Sequence, residues 1–170
     1  MKQYEKIPIN KPKSSVFDLS HEAKLSMNMG DLVPIICQEV IPGDNFRLSY
    51  EAIIKMQPIL APIMHRVNVY AHFFFVPNRL VWKDWEDFIT GGPDGDLSPN
   101  FPKFYGMHED YFGSPNLFGI NSLADYLGLP VKNIPDNGEY ITPFSQLPFR
   151  AYQLIYNEYY RDQTYRDWEK

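Results

Sequence analysis

The chain has 170 residues, 44% of them hydrophobic and 22% charged, which is enough apolar material for one domain with a sizeable core. A formal net charge of −5 excludes a generally basic nucleic-acid coat, and the single cysteine, Cys37, excludes an intramolecular disulfide framework and any CxxC metal or redox site. Aromatic residues at 16% and 15 prolines, against a usual proline share of about 5%, point to many short elements and ordered loops rather than long helices.

Residues 1 to 30 read as an N-terminal arm. They hold Pro8, Pro12 and the weakly apolar stretch SVFDLSHEAKLSMNMG without a sustained period, so they bury too little surface to fold alone. Within residues 1 to 13, Lys2, Lys6, Lys11 and Lys13 stand against Glu5 alone, which reads either as a set of phosphate contacts or as solubilising charge. Residues 1 to 15 are polar and show no leader-peptide pattern, and no apolar run is long enough to span a bilayer. We therefore expect no membrane association, and synthesis in a reducing compartment or in one where disulfides are not needed.

The segment from Asp31 to Ile41 reads as a strand, held to an edge or a bulge by Pro34, with Cys37 as a small core residue. Pro42, Gly43 and Asp44 supply turn chemistry. Ser49 as an N-cap, with Glu51 in the first turn, predicts a short helix from Ala52 to Met56 that Pro58 stops.

The most informative run follows. Val67, Val69, Ala71, Phe73 and Phe75 fall on one side of an extended chain; Asn68, Tyr70 and His72 fall on the other, until Phe74 and Val76 make that side apolar too. This predicts a strand over 67 to 76 whose core face carries Phe73 and Phe75, with Phe74 turned toward an insertion or a neighbouring subunit. Pro77 ends the ladder, and Asn78 and Arg79 lead the chain elsewhere.

Beyond it, a short helix is expected from Asp84 to Ile89, with Trp82, Trp85 and Phe88 roughly on one side and Gly91 at its end. Residues 90 to 120 carry six of the ten glycines and four prolines, a loop long enough to be an insertion that packs on a neighbour. Ser122 with Asp125 opens a helix that ends at Gly128, and Ser145 opens a longer one to about Arg161. That last helix holds Phe149, Tyr152, Ile155, Tyr156, Tyr159 and Tyr160, more aromatic area than one narrow stripe can hide.

No catalytic constellation emerges. His65 and His72 are seven apart and point to opposite faces of a strand, and the adjacent His108, Glu109 and Asp110 are poorly placed to converge on one ion. Asp94 and Asp96 resemble part of a calcium loop but lack the later bidentate Glu. GxSxG, P-loop, GxGxxG and HExxH patterns are all missing. No cofactor is implied. The aromatic segments suit either base stacking or packing between subunits, and the apolar character of FFFV favours packing.

The stretches FDLSH at 17 to 21, LVPIICQEVIPGD at 32 to 44, LAPIMHRVNVYAHFFFVPNRLVW at 60 to 82, WEDFITGG at 85 to 92 and PFRAYQLIYNEYYRD at 148 to 162 strongly resemble the major capsid protein of microviruses, in its gokushovirus-like branch. The most specific parts are the PGD turn and the FFFVPNRLVW run, which includes Phe73, Phe74, Phe75, Pro77, Asn78, Arg79 and Trp82. The resemblance implies a mainly β fold, a viral jelly-roll β-sandwich with helical and loop insertions. In that reading residues 31 to 170 are the N-terminal portion of the capsid domain, with an insertion over about 83 to 165 and the rest of the sandwich missing, as from a truncated or interrupted reading frame. It further implies a homo-oligomer of capsid subunits in a T=1 icosahedral virion, made in the host bacterial cytoplasm. Its partners would be a single-stranded DNA genome and other viral structural proteins, with Lys2, Lys6, Lys11 and Lys13 contacting the genome. Two further readings stand beside this one: a β-sandwich carbohydrate-binding module with Trp82, Trp85 and Tyr105 as a stacking platform, and a metal-dependent hydrolase using His108, Glu109 and Asp110.

Overall fold

The computed structural model describes residue 10 and residues 13–104, 120–129 and 143–162. Residues 13 to 76 carry no helix or strand and are punctuated by turns at Met29–Gly30 and Pro42–Gly43. The regular elements follow: helix α1 (Asn78–Val81), helix α2 (Trp85–Thr90), strand β1 (Lys103–Phe104), helix α3 (Leu123–Tyr126), strand β2 (Phe144–Ser145) and helix α4 (Leu147–Ile155). A π-helical turn over Tyr156–Tyr160 extends α4.

Local chemistry explains these elements. Pro77, with φ of −64°, sets the extended residue from which α1 starts. Glu86 and Asp87 place negative charge at the positive end of α2, and Gly91 closes that helix in the left-handed region with its N–H donating to the Asp87 carbonyl at 2.8 Å. Helix α3 begins as expected at Ser122, whose Oγ accepts from the Asp125 N–H at 3.4 Å, while the Asp125 carboxylate accepts from the Asn121 N–H at 2.8 Å. It ends in a Schellman pattern: Leu129 N–H donates to the Ala124 carbonyl and Gly128 N–H to the Asp125 carbonyl, both at 2.9 Å, with Gly128 at φ of +80°. Helix α4 starts two residues later than the Ser145 expected from the sequence, because Ser145 pairs in β2 and its Oγ accepts from the Leu147 N–H at 3.1 Å. Its final turn widens, with Arg161 N–H reaching back to the Tyr156 carbonyl at 2.8 Å.

Strands β1 and β2 pair antiparallel, Lys103 opposite Ser145 and Phe104 opposite Phe144. Phe104 also meets the ring of Phe149 on α4, with centroids 5.1 Å apart. The buried centre lies beside this ribbon. Trp82, only 5% exposed, is surrounded by Phe88 at 5.1 Å, Phe101 at 5.3 Å and Trp85 at 6.1 Å between ring centroids. Offset and edge-on rings at these separations add to the burial itself. The expectation that Trp82, Trp85 and Phe88 share one side is met by this cluster.

Three expectations are corrected. The segments from Asp31 to Ile41 and from Val67 to Val76 pair with no other strand, and the segment from Ala52 to Met56 is not helical. A strand is defined by its ladder, and neither segment forms one among the described residues: the backbone bonds of Asp31 and Ile41 are to Asn28 and Asp44, within local turns. For the third, Ile53 and Ile54 are β-branched and both exposed, so neither propensity nor packing holds a five-residue helix. Cys37, expected in the core as part of the Asp31 to Ile41 strand, is exposed.

Candidate assembly surface

The period of two read from residues 67 to 76 survives in the side chains without a ladder. Tyr70, His72 and Phe74 lie on one side, their rings 6.3 and 6.2 Å apart in succession. That side rests on the end of α4. Phe74 meets Tyr159 at 4.9 Å and Tyr160 at 6.2 Å, and His72 stacks on Tyr160 at 5.9 Å with an interplanar angle of 18°. His72 Nδ1 and the Tyr160 hydroxyl share a hydrogen bond.

The opposite side is open. Phe73 and Phe75 are 61% and 77% exposed, Val67 and Val69 are exposed with them, and the ring of Tyr50 meets Phe73 edge-on at 6.4 Å. The sequence reading put Phe73 and Phe75 in the core and Phe74 outside it. In this chain Phe74 is the most covered of the three phenylalanines, at 38% exposure, because the aromatic end of α4 lies against the even side. Exposed phenylalanines in a row form a surface that association would bury.

The other residues singled out from sequence are placed as follows. Pro42, Gly43 and Asp44 form a turn in which Asp44 N–H donates to the Ile41 carbonyl at 3.1 Å and Gly43 holds φ of +96°, the conformation that a type II turn requires of its third residue. Pro77, Asn78 and Arg79 open α1, and Trp82 follows it. Lys13 is exposed; Lys2, Lys6 and Lys11 lie outside the described residues, as do Tyr105, His108, Glu109 and Asp110. Among the described residues, no three His, Cys, Asp or Glu side chains gather as a metal site. Asp94 and Asp96 belong to a glycine-built loop, where Leu97 N–H donates to the Gly91 carbonyl at 2.8 Å. The sugar-stacking platform fails on Trp82, whose ring is buried among other rings and presents no free face. Packing around the Cys37 sulfur, and secondarily the charge of Glu39, pushes its thiol up, which is the wrong direction for a nucleophile.

Sequence reasoning missed the polar clasp that joins α1, β1 and α4. Arg150 Nη1 donates to the Val81 carbonyl at 3.1 Å and Nη2 to Gln146 Oε1 at 3.0 Å, while Gln146 Nε2 donates to the Lys103 carbonyl at 2.8 Å. It also missed two tyrosine hydroxyls that pin the N-terminal half: Tyr126 to the Ser26 carbonyl at 2.7 Å and Tyr152 to the Leu32 carbonyl at 2.8 Å. No local spacing signals a contact between residues 69 to 120 positions apart. No helix among the described residues is long and apolar enough to cross a membrane.

Against known proteins, residues 5–168 match the family described as capsid protein (F protein). The chain belongs to this phage capsid family. Capsid protein VP1 of Chlamydia phage 1 is 39% identical over 168 residues, covering 97% of this chain and 27% of that protein. Capsid protein VP1 of Bdellovibrio phage phiMH2K is 33% identical over 163 residues, covering 95% of this chain and 28% of that protein, and the Spiroplasma virus 4 protein of the same name is 28% identical over 153 residues. The chain thus spans little more than a quarter of the length of these capsid proteins. No solved structure matches it. The family resemblance drawn from FDLSH, the PGD turn and FFFVPNRLVW is shown by these matches, and the exposed side of residues 67 to 75 is a surface carried by a capsid-family chain.

Proposed function

We propose that this chain serves as part of the major capsid subunit of a small icosahedral single-stranded DNA phage, a structural protein that acts by self-association and has no catalytic role or cofactor. The match of residues 5–168 to a capsid family carries the reading, and the uncovered Phe73 and Phe75 support it, because a coat protein must keep apolar area for burial between copies. In this reading the subunit is a jelly-roll sandwich in a T=1 shell. Residues 83 to 165 belong to an insertion. The site of action is the virion, assembled in the host bacterium without membrane attachment. Further partners are the genome, met by Lys2, Lys6, Lys11 and Lys13, and the other viral structural proteins.

Sedimentation and electron microscopy of the full-length coat protein carrying this chain, expressed together with the other viral structural proteins, test the reading. Closed shells are expected. A stable monomer under every condition overturns it.

A further inference from the structure

Asp94 is the one aspartate in the sequence that a glycine follows. Every other aspartate among the described residues precedes Leu, Asn, Trp, Phe, Tyr or Gln, whose side chains shield the next peptide nitrogen. The pair lies in the turn over residues 92–95 that follows α2, and Asp94 is exposed. Among the described residues its carboxylate has no hydrogen-bond or ion-pair partner. The carboxylates of Asp18, Asp31 and Asp125, by contrast, each accept a hydrogen bond, from Ser20, Asn28 and Asn121.

The Gly95 nitrogen is equally open. Its N–H reaches the Gly92 carbonyl at 3.3 Å, beyond the ~2.7–3.2 Å of a full N–H···O bond. Gly95 holds φ of +77°, and nothing lies within 4 Å of where a Cβ would stand. An unengaged carboxyl therefore stands one residue before a weakly held, unshielded amide nitrogen.

The rest of the loop is closed tightly. Leu97 N–H donates to the Gly91 carbonyl and Gly91 N–H to the Asp87 carbonyl, both at 2.8 Å, which ties the loop to the last turn of α2. Gly95 passes so near Gly91 that a Cβ on Gly91 would lie 2.9 Å from the Gly95 carbonyl carbon and oxygen. That path has no slack for an additional backbone atom between residues 94 and 95.

We propose that Asp94–Gly95 is a site of spontaneous isoaspartate formation, and that the modification opens the loop closing α2. The Gly95 nitrogen attacks Cγ of the protonated Asp94 carboxyl; the C–OH bond breaks, and the hydroxyl leaves as water with the amide proton. The cyclic succinimide then takes up water. Breaking the ring C–N bond at Cγ restores aspartate, whereas breaking it at the α-carbonyl carbon leaves the main chain running through Cβ and Cγ. Nothing is oxidised or reduced, and solvent water is the one co-reactant. The net change is one more carbon in the backbone, with the α-carboxylate left as a branch. The site does not depend on the capsid reading.

The experiment ages the 170-residue chain in neutral buffer beside a sample unfolded in guanidinium chloride. Isoaspartate at residue 94 is followed by methyl transfer from an isoaspartate-specific methyltransferase and by peptide mapping. The folded chain should accumulate it at a rate within about tenfold of the unfolded one, a barrier difference of at most about 1.4 kcal/mol. A slower folded-state rate overturns the site. Asp94→Glu, whose ring would be larger and slower to close, should abolish the signal in that peptide, and Asp94→Asn, which loses ammonia in place of water, should raise it. Signal mapped only to Asn137–Gly138, where conversion changes the mass as that of Asp94 does not, also overturns the site. In the separated isoaspartyl protein, amide exchange at Gly91 and Leu97 should be about tenfold faster, the scale of one lost hydrogen bond. Exchange at Leu129, which closes α3, should be unchanged. Unchanged exchange at Leu97, or equal acceleration at Leu129, would overturn the local opening of the loop.

Discussion

The hydroxyl of Tyr152 donates to the carbonyl of Leu32 at 2.8 Å, tying helix α4 to a segment 120 residues earlier that has no backbone ladder of its own. Tyr152→Phe keeps the ring and removes only this bond, so it should cost about 0.5–1.5 kcal/mol. Amide exchange around residues 31 to 34 should accelerate while exchange within α4 is unchanged. Uniform acceleration across both would show that the bond is not local.

The same phenol carries a pH signature. Burial first, then the neighbouring Tyr156 and Asp31, push the Tyr152 hydroxyl above its ordinary value. A raised folded-state pKa means that the neutral phenol stabilises the fold. The contribution is complete below about pH 10, the unfolded value, and is lost as pH rises through the folded one. Wild-type protein should therefore lose stability in this alkaline window faster than Tyr152→Phe does, as read by thermal unfolding at stepped pH. Parallel curves would contradict the assignment.

Trp82 is the anchor of the aromatic cluster. Trp82→Ala removes a side chain enclosed by Trp85, Phe88 and Phe101 and should cost about 3–5 kcal/mol, a large share of a modest domain's stability. Denaturant unfolding measures it. A cost below that of Trp85→Ala would place the centre of the cluster elsewhere.

The two sides of residues 67 to 76 should respond oppositely. Phe74→Ala strips the contact with Tyr159 and Tyr160 and should loosen the end of α4, whereas Phe73→Ser and Phe75→Ser change exposed positions and should leave folding within about 0.5 kcal/mol. The serine variants should instead reduce self-association in sedimentation. Unchanged association would show that the open side is not an assembly surface.

Gly91 and Gly43 both hold positive φ, at +79° and +96°, but only Gly91 is also crowded. A Cβ on Gly91 would sit 2.9 Å from the backbone carbon and oxygen of Gly95, while one on Gly43 meets nothing within 4 Å. Gly43→Ala should cost only the backbone term of about 1–2 kcal/mol, and Gly91→Ala more, because backbone cannot move aside as a side chain can. Equal melting temperatures for the two variants would refute the close approach.

Local grammar is what the sequence by itself determined: the Pro42–Gly43 turn, the Ser122 cap with Asp125, the start of α2 and its glycine stop, and the shared side of Trp82, Trp85 and Phe88. Each depends on residues within a few positions, where backbone sterics and short hydrogen bonds dominate. The capsid family was legible too, in FFFVPNRLVW and the PGD turn. Only the tertiary structure decided which side of residues 67 to 76 is covered, because period two shows that two sides exist and not what meets them. The packing of Phe74 against Tyr159 and Tyr160, the greater exposure of Phe73 and Phe75, and the gathering of Arg79, Lys83, Lys103 and Arg150 into one cleft all depend on where α4 docks. That docking is fixed by Arg150, Tyr152 and Tyr160 reaching segments 69 to 120 residues away, and such contacts leave no mark in local spacing.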